Sequence, residues 1–87
     1  MYEVLIYRSV EKDLEKMHKN VNRVIIRALE KLTVDPKPNG VKKLHGSNED
    51  LYRIRVGDYR IIYSIAEQVK IVNIRRIRHR KEVYRNL

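Results

Sequence analysis

Residues 51–65, LYRIRVGDYRIIYSI, decide the fold. Two runs rich in β-branched and aromatic residues flank Gly57-Asp58, the composition of a two-residue hairpin turn of type II′ or I′. Such a turn fixes the register of both strands. Val56 then faces Tyr59, Arg55 faces Arg60, Ile54 faces Ile61 and Arg53 faces Ile62. Side chains alternate between faces along a strand, and directly paired residues share a face. Tyr52, Ile54, Val56, Tyr59, Ile61, Tyr63 and Ile65 therefore line one apolar face. Arg53, Arg55 and Arg60 line the other.

Working outward, Val69 to Ile77 reads as a third strand after a tight turn at Glu67-Gln68. That turn pairs Arg60 with Arg75 and Ile62 with Asn73, and sends Val72 and Ile74 to the apolar face. Four arginines, Arg53, Arg55, Arg60 and Arg75, then share the open face. Arg55 and Arg60 are direct neighbours, a like-charge pair that costs stability. A bound anion reverses the sign of that interaction, and the guanidinium fork matches phosphate geometry. Charged residues that merely decorate a solvated face would be expected in both signs, and this set is of one sign. A register slip of one residue would move it to the other face.

Toward the N-terminus, Tyr2 to Arg8 reads as a first strand. Ser9 is the expected N-cap of a helix in which Val10, Leu14 and Met17 recur at helical spacing. Glu11, Asp13 and Glu15 lie near its positive end. Asn20-Val21-Asn22 is the expected break. Val24, Ile25, Ala28, Leu29 and Leu32 form the stripe of a second helix, ended by Asp35-Pro36 because the residue before proline is driven out of the helical region. Residues 41–50 read as irregular, with His45 a solvated loop residue. The expected architecture is a single α+β domain over residues 1–87: a small antiparallel sheet, order β-α-α-β-β-β, with a helical hairpin on one face and a short C-terminal helix or tail.

Composition narrows the chemistry. The chain has 87 residues, 20 basic and 11 acidic, for a net charge of +9. Residues 1–50 hold ten basic and eight acidic residues, whereas residues 51–87 hold ten and three. So uneven a field favours a polyanion or an acidic protein as partner. With Cys absent, neither a disulfide framework nor a thiolate nucleophile is possible. His18, His45 and His79 are too far apart for a recognisable metal motif, and no glycine-rich phosphate loop is present, so no cofactor is expected. No apolar run approaches the ~18 residues of a membrane span. The N-terminus lacks the pattern of a signal peptide, and a cytoplasmic protein is expected. In the tail, Arg75-Arg76-Ile77-Arg78-His79-Arg80-Lys81-Glu82-Val83-Tyr84, His79 has the chemistry of an acid or base near neutrality. Tyr84 has that of a stacking platform for a base. Both equally suit a basic surface and ordinary packing.

LYRIRVGDYRIIYSI followed by RIRHRKEVY resembles the RelE branch of the RelE/ParE toxin superfamily, over nearly the whole chain. The YRIRVGDYRIIY segment carries the superfamily resemblance, and the HRKEVY ending points to the RelE side. The resemblance implies a ribosome-dependent endoribonuclease that cuts mRNA in the ribosomal A site and is neutralised by a cognate, RelB-like antitoxin with an acidic segment. By position it implies that Arg53 and Arg55 are the two basic residues, often lysines, of the strand before the turn. Arg60 is the arginine that binds the scissile phosphate, Arg78 the basic residue near the transition state, and Tyr84 the tyrosine that stacks on the message. Arg75, Arg80 and Lys81 complete the expected nucleic-acid contacts. The implied reaction is attack of a ribose 2′-hydroxyl on the adjacent phosphorus, without a metal. A lysine can be tuned to accept a proton and an arginine cannot, so the local candidate for general base is His79. A ParE-type inhibitor of DNA gyrase and a non-catalytic binding module share the fold as alternatives.

Overall fold

The computed structural model describes residues 1–45 and 50–81. Strand β1 (Glu3–Ile6) leads into helices α1 (Arg8–Lys16) and α2 (Lys19–Val34), followed by strands β2 (Lys42–Leu44), β3 (Leu51–Val56), β4 (Tyr59–Ala66) and β5 (Ile71–His79). One five-stranded sheet results, in the order β1-β5-β4-β3-β2. The α+β class and the helical hairpin on one face are as the sequence implies. The sheet is mixed, however, because the helical hairpin carries the chain back over it and β1 lies parallel to β5. The sheet also has a fifth strand, since Lys42–Leu44 pairs along Leu51–Arg53. This edge strand is three residues long and carries Lys42 and Lys43, which blunts it against pairing with another chain. The same lysines conceal it from a hydrophobic-pattern reading.

The helices start elsewhere than expected. Tyr7, with extended backbone, caps α1, and its carbonyl accepts from the N–H groups of Val10 and Glu11. Ser9 therefore already has helical backbone and makes no cap. The break between the helices falls at Met17-His18 rather than at residues 20–22. His18 caps α2, its Nδ1 accepting from the Asn20 N–H at 3.2 Å. Asn22 is a fastener inside α2, because its Nδ2 donates to the Leu14 carbonyl at the end of α1 (2.9 Å).

Between helices and sheet lies the core. Val10 and Leu14 of α1 and Ile25, Leu29 and Leu32 of α2 are buried against Ile54, Ile61, Tyr63, Val72, Ile74 and Ile77. Tyr63 is fully buried, and its hydroxyl donates to the Pro36 carbonyl at 2.7 Å, tying the end of α2 to the middle of β4. Burial, with Asp35 and Tyr52 nearby, pushes its hydroxyl pKa far up, so Tyr63 stays protonated and the donor is permanent.

The β3–β4 register is the one read from the sequence, pair for pair, and Gly57 has φ +58°, which serves the first central position of a II′ turn. The β4–β5 register differs in two ways. First, Glu67-Gln68 cannot supply the positive φ of a two-residue turn, so four residues connect the strands and Lys70 takes φ 55°. Ala66 then pairs with Ile71, Ser64 with Asn73 and Tyr63 with Ile74. This two-residue shift keeps every side chain on its expected face. Second, a β-bulge interrupts the pairing at Ile62/Tyr63, so that Ile62 pairs with Arg76, Ile61 with Ile77 and Arg60 with Arg78. Beyond a bulge the alternation reverses. Ile77 thereby enters the core, at 3% exposure, and Arg78 comes to the open face.

Candidate nucleic-acid interface

The open face carries a row of three guanidiniums. Arg55 on β3 pairs with Arg60 on β4, and Arg60 pairs on its other side with Arg78 on β5. Arg60 is thus the middle member, with a neighbour on each side at the ~5 Å spacing of paired strands. One step inward, Lys42, Arg53, Ile62 and Arg76 form a second row, with Arg75 at the bulge. The pairing of Arg60 with Arg75 expected from a two-residue turn is not formed, and Arg78 takes that place. Arg76 joins the face although no sequence argument assigned it a role. The spacing Val72, Ile74, Ile77 carried the signal, because a step of three in an alternating strand marks a bulge.

Arg53 is the most constrained of these side chains. It is half-buried, and its buried Nε has no hydrogen-bond partner among the described residues. Burial foremost, then Arg60 and Arg55, lowers its pKa. An arginine remains charged under such a shift. A buried, unmet donor between like charges is a cost that an anion would relieve.

Beyond β5 the chain is fastened to the hairpin tip. The Arg80 N–H donates to the Asp58 carbonyl (2.8 Å), and Arg80 Nε lies 4.0 Å from Asp58 Oδ1. Arg80 thereby closes a small hollow of about 140 Å³ with Arg55, Gly57 and Arg60. Lys81 is exposed beside it. Tyr84 lies outside the described residues.

His79 is not brought to the row. It pairs with Tyr59, on the helix side of the sheet, and the two rings meet edge to face at 5.1 Å. Its Nδ1 accepts from the Lys81 N–H at 3.2 Å. A neutral ring held this way carries its proton on Nε2, which makes it a donor there. Among the described residues no three His, Cys, Asp or Glu side chains gather as a metal would require, and no helix is long and apolar enough to cross a membrane.

The edge between α2 and β3 opens into a groove of about 790 Å³. Val24, Ala28, Ile54 and Val56 are apolar residues lining it, and Arg27, Lys31 and Lys42 are cations along it, with Arg53 and Arg55 at the end shared with the row. Val24, expected in the core stripe, is 53% exposed here.

Known proteins share this fold. The family model of the ParE toxin of type II toxin-antitoxin systems matches residues 4–84. A Methanocaldococcus jannaschii protein that carries the name RelE1 is 32% identical over 88 residues, covering 98% of this chain and 97% of its own. A chain in the crystal structure of the archaeal RelE–RelB complex from Pyrococcus horikoshii superposes with a TM-score of 0.81 at 36% identity, over 91% of this chain and 94% of that one. The isolated Escherichia coli RelE toxin, at 19% identity and a TM-score of 0.76 over the full length of both chains, shares the fold. With the matched residues spanning the helical hairpin, the whole sheet and the arginine row, this chain belongs to the RelE/ParE family of toxins of type II toxin-antitoxin systems.

Proposed function

We propose that this toxin is a ribosome-dependent endoribonuclease that cleaves mRNA in the ribosomal A site. The observation that carries the reading is the Arg55–Arg60–Arg78 row. Like-charged neighbours on paired strands destabilise a sheet unless they serve a ligand, and three guanidiniums in register match a phosphodiester. Arg60, in the middle, binds the scissile phosphate. Arg78 faces the charge that grows on the phosphoryl oxygens. Arg53 and Arg55 hold the flanking backbone, with Arg75, Arg80 and Lys81 extending the contact. Tyr84 stacks on the message. The ribose 2′-oxygen attacks phosphorus and loses its proton, the bond from phosphorus to the 5′-oxygen breaks, and that oxygen takes up a proton. The products are a 2′,3′-cyclic phosphate and a 5′-hydroxyl, and the guanidiniums do the work of charge stabilisation without a metal.

His79 packs against Tyr59 on the other face. Among the described residues the row therefore holds no general base, and in this reading the proton passes to solvent. The rate must then come from charge stabilisation and from in-line alignment of the 2′-oxygen. Alignment of a flexible single strand is what a ribosome holding a codon supplies, which gives dependence on the ribosome a physical reason. Accordingly His79→Ala should lower cleavage by less than tenfold, whereas loss of a true general base costs about 10²- to 10⁴-fold.

A cognate antitoxin is the second partner. The groove beside β3 matches an acidic segment with an apolar stripe, which would meet Val24 and Val56 below and Arg27, Lys31 and Lys42 at the sides. Such an occupant would also touch Arg53 and Arg55 and so mask one end of the row.

The test is primer extension on an mRNA held in programmed ribosomes and on the same mRNA alone. The expected result is a cut within the A-site codon only when the ribosome is present, lost when the nucleotide 5′ of the cut carries a 2′-O-methyl group. No cut, together with inhibition of gyrase supercoiling by the same preparation, would replace this reading with the gyrase-directed one.

A further inference from the structure

The open face has a second, differently built end. Four residues along β4 from Arg60, a distance of ~13 Å at strand rise, Ser64 pairs with Asn73, and Asn73 pairs in turn with Leu5 of β1. Val72 and Ile74, on either side of Asn73, are fully buried, so Asn73 projects to the open face. Tyr7 stands at the rim with 46% of its surface exposed, and the Arg75 guanidinium lies 5.2 Å from its ring centre. Asp50 borders the opposite side and holds Lys43 at 3.3 Å. Together Tyr7, Asp50, Ser64, Asn73 and Arg75 bound a shallow hollow of about 480 Å³, within the range of small-molecule sites, about 300–1,000 Å³.

Its chemistry contrasts with that of the arginine row. The row offers one sign of charge. The hollow offers an amide, a hydroxyl, a carboxylate and a guanidinium placed over a phenol ring. Phosphate oxygens only accept hydrogen bonds and are repelled by a carboxylate such as Asp50, whereas the edge of a nucleobase presents donors and acceptors together, and its plane stacks on aromatic rings and guanidiniums. Asn73 has both a donor and an acceptor for such an edge. Arg75 and Tyr7 provide the stacking surface.

We propose that this hollow binds an unpaired nucleobase. The inference rests on reading the open face as an RNA-binding surface. Strand β4 runs from the arginine row to the hollow, past the bulge in β5, so one RNA strand lying along β4 can place a phosphate at Arg60 and a base at Asn73. The base comes either from the message or from ribosomal RNA around the A site, and both present the same edge and plane.

The first experiment needs neither cleavage nor ribosomes. Adenosine, guanosine, cytidine and uridine, which carry no phosphate, are titrated separately into the ¹⁵N-labelled full chain. At least one should shift the Asn73 side-chain amide and the backbone amides of Ser64 and Arg75, leaving those of Arg55 and Arg60 in place. Asn73→Ala should weaken that binding about tenfold, the scale of a lost bidentate base contact, and Ser64→Ala serves as a second variant should the first unfold. Absence of shifts with all four nucleosides, or shifts confined to the arginine row, would overturn the proposal. Programmed ribosomes then separate the two sources. Asn73→Ala should change the ranking of A-site codons cut if the base is the message's, and should weaken binding to vacant ribosomes equally for all messages if it is ribosomal. A variant that leaves both unchanged would also overturn the proposal. A wild-type chain that cuts nothing would contradict the endoribonuclease reading, while the nucleoside titration still decides the hollow.

Discussion

The two faces of this sheet are written by the same strands and obey different rules. On the helix side, Ile61, Tyr63, Val72 and Ile74 are completely buried, and every neighbour in register is apolar or aromatic. On the open side, the residues one step away include Arg55, Arg60, Arg76 and Arg78, and like charges stand opposite one another. Packing chooses the first set, because burial of apolar surface is the main favourable contribution to folding. It cannot choose the second, which opposes folding. A sheet that keeps an unfavourable arrangement on one face, supported by a well-packed opposite face, is a platform for a ligand of opposite charge.

The largest effect that breaks this comparison falls on the covered face. Ile61→Ala should cost about 2–5 kcal/mol by denaturant unfolding, a large share of the ~5–10 kcal/mol expected for a domain of this size. Cleavage by the fraction that remains folded should be little changed. A smaller loss is expected for Tyr63→Phe, which removes the donor to the Pro36 carbonyl and should cost about 1 kcal/mol. The smallest effect has the opposite sign. Arg55→Gln removes one member of the like-charge pair and should raise stability by a few tenths of a kcal/mol, the gain shrinking with added salt as charges are screened. Destabilisation by Arg55→Gln would mean that the open face contributes to folding, and the contrast between the faces would fail.

The comparison also explains what the sequence could reveal. The β3–β4 hairpin was legible to the residue because Gly57 supplies the positive φ that a two-residue turn requires and because a slip would have exposed Ile54 and Ile61. The β4–β5 register was not, since it depends on a loop without such a glycine and on a bulge that a regular alternation does not contain. The arginine row was therefore read with Arg75 where the structure has Arg78, a residue that only the family resemblance marked. His79 followed the same error. Its face is set by the bulge beyond the Ile62–Arg76 pair, and it lies against Tyr59 rather than beside the arginines. The capping of α2 by His18, and the bond from Asn22 to the Leu14 carbonyl, do not show in the sequence, because a histidine is an unusual cap and an asparagine in the first turn of a helix reads as a break. The stretch Lys42–Leu44 became a strand only through its partner β3, a cause that no local pattern contains.

The measurement that tests the central claim most directly is the single-turnover cleavage rate of Arg60→Ala on programmed ribosomes, set beside its unfolding midpoint. Arg60 is the middle of the row and contributes nothing to the core. The rate should fall about 10²- to 10³-fold, the scale of losing one preorganised charge stabiliser, with the midpoint unchanged or slightly raised. A variant that cleaves like the wild type, or one that loses activity only because it no longer folds, would contradict the assignment of the chemistry to the open face.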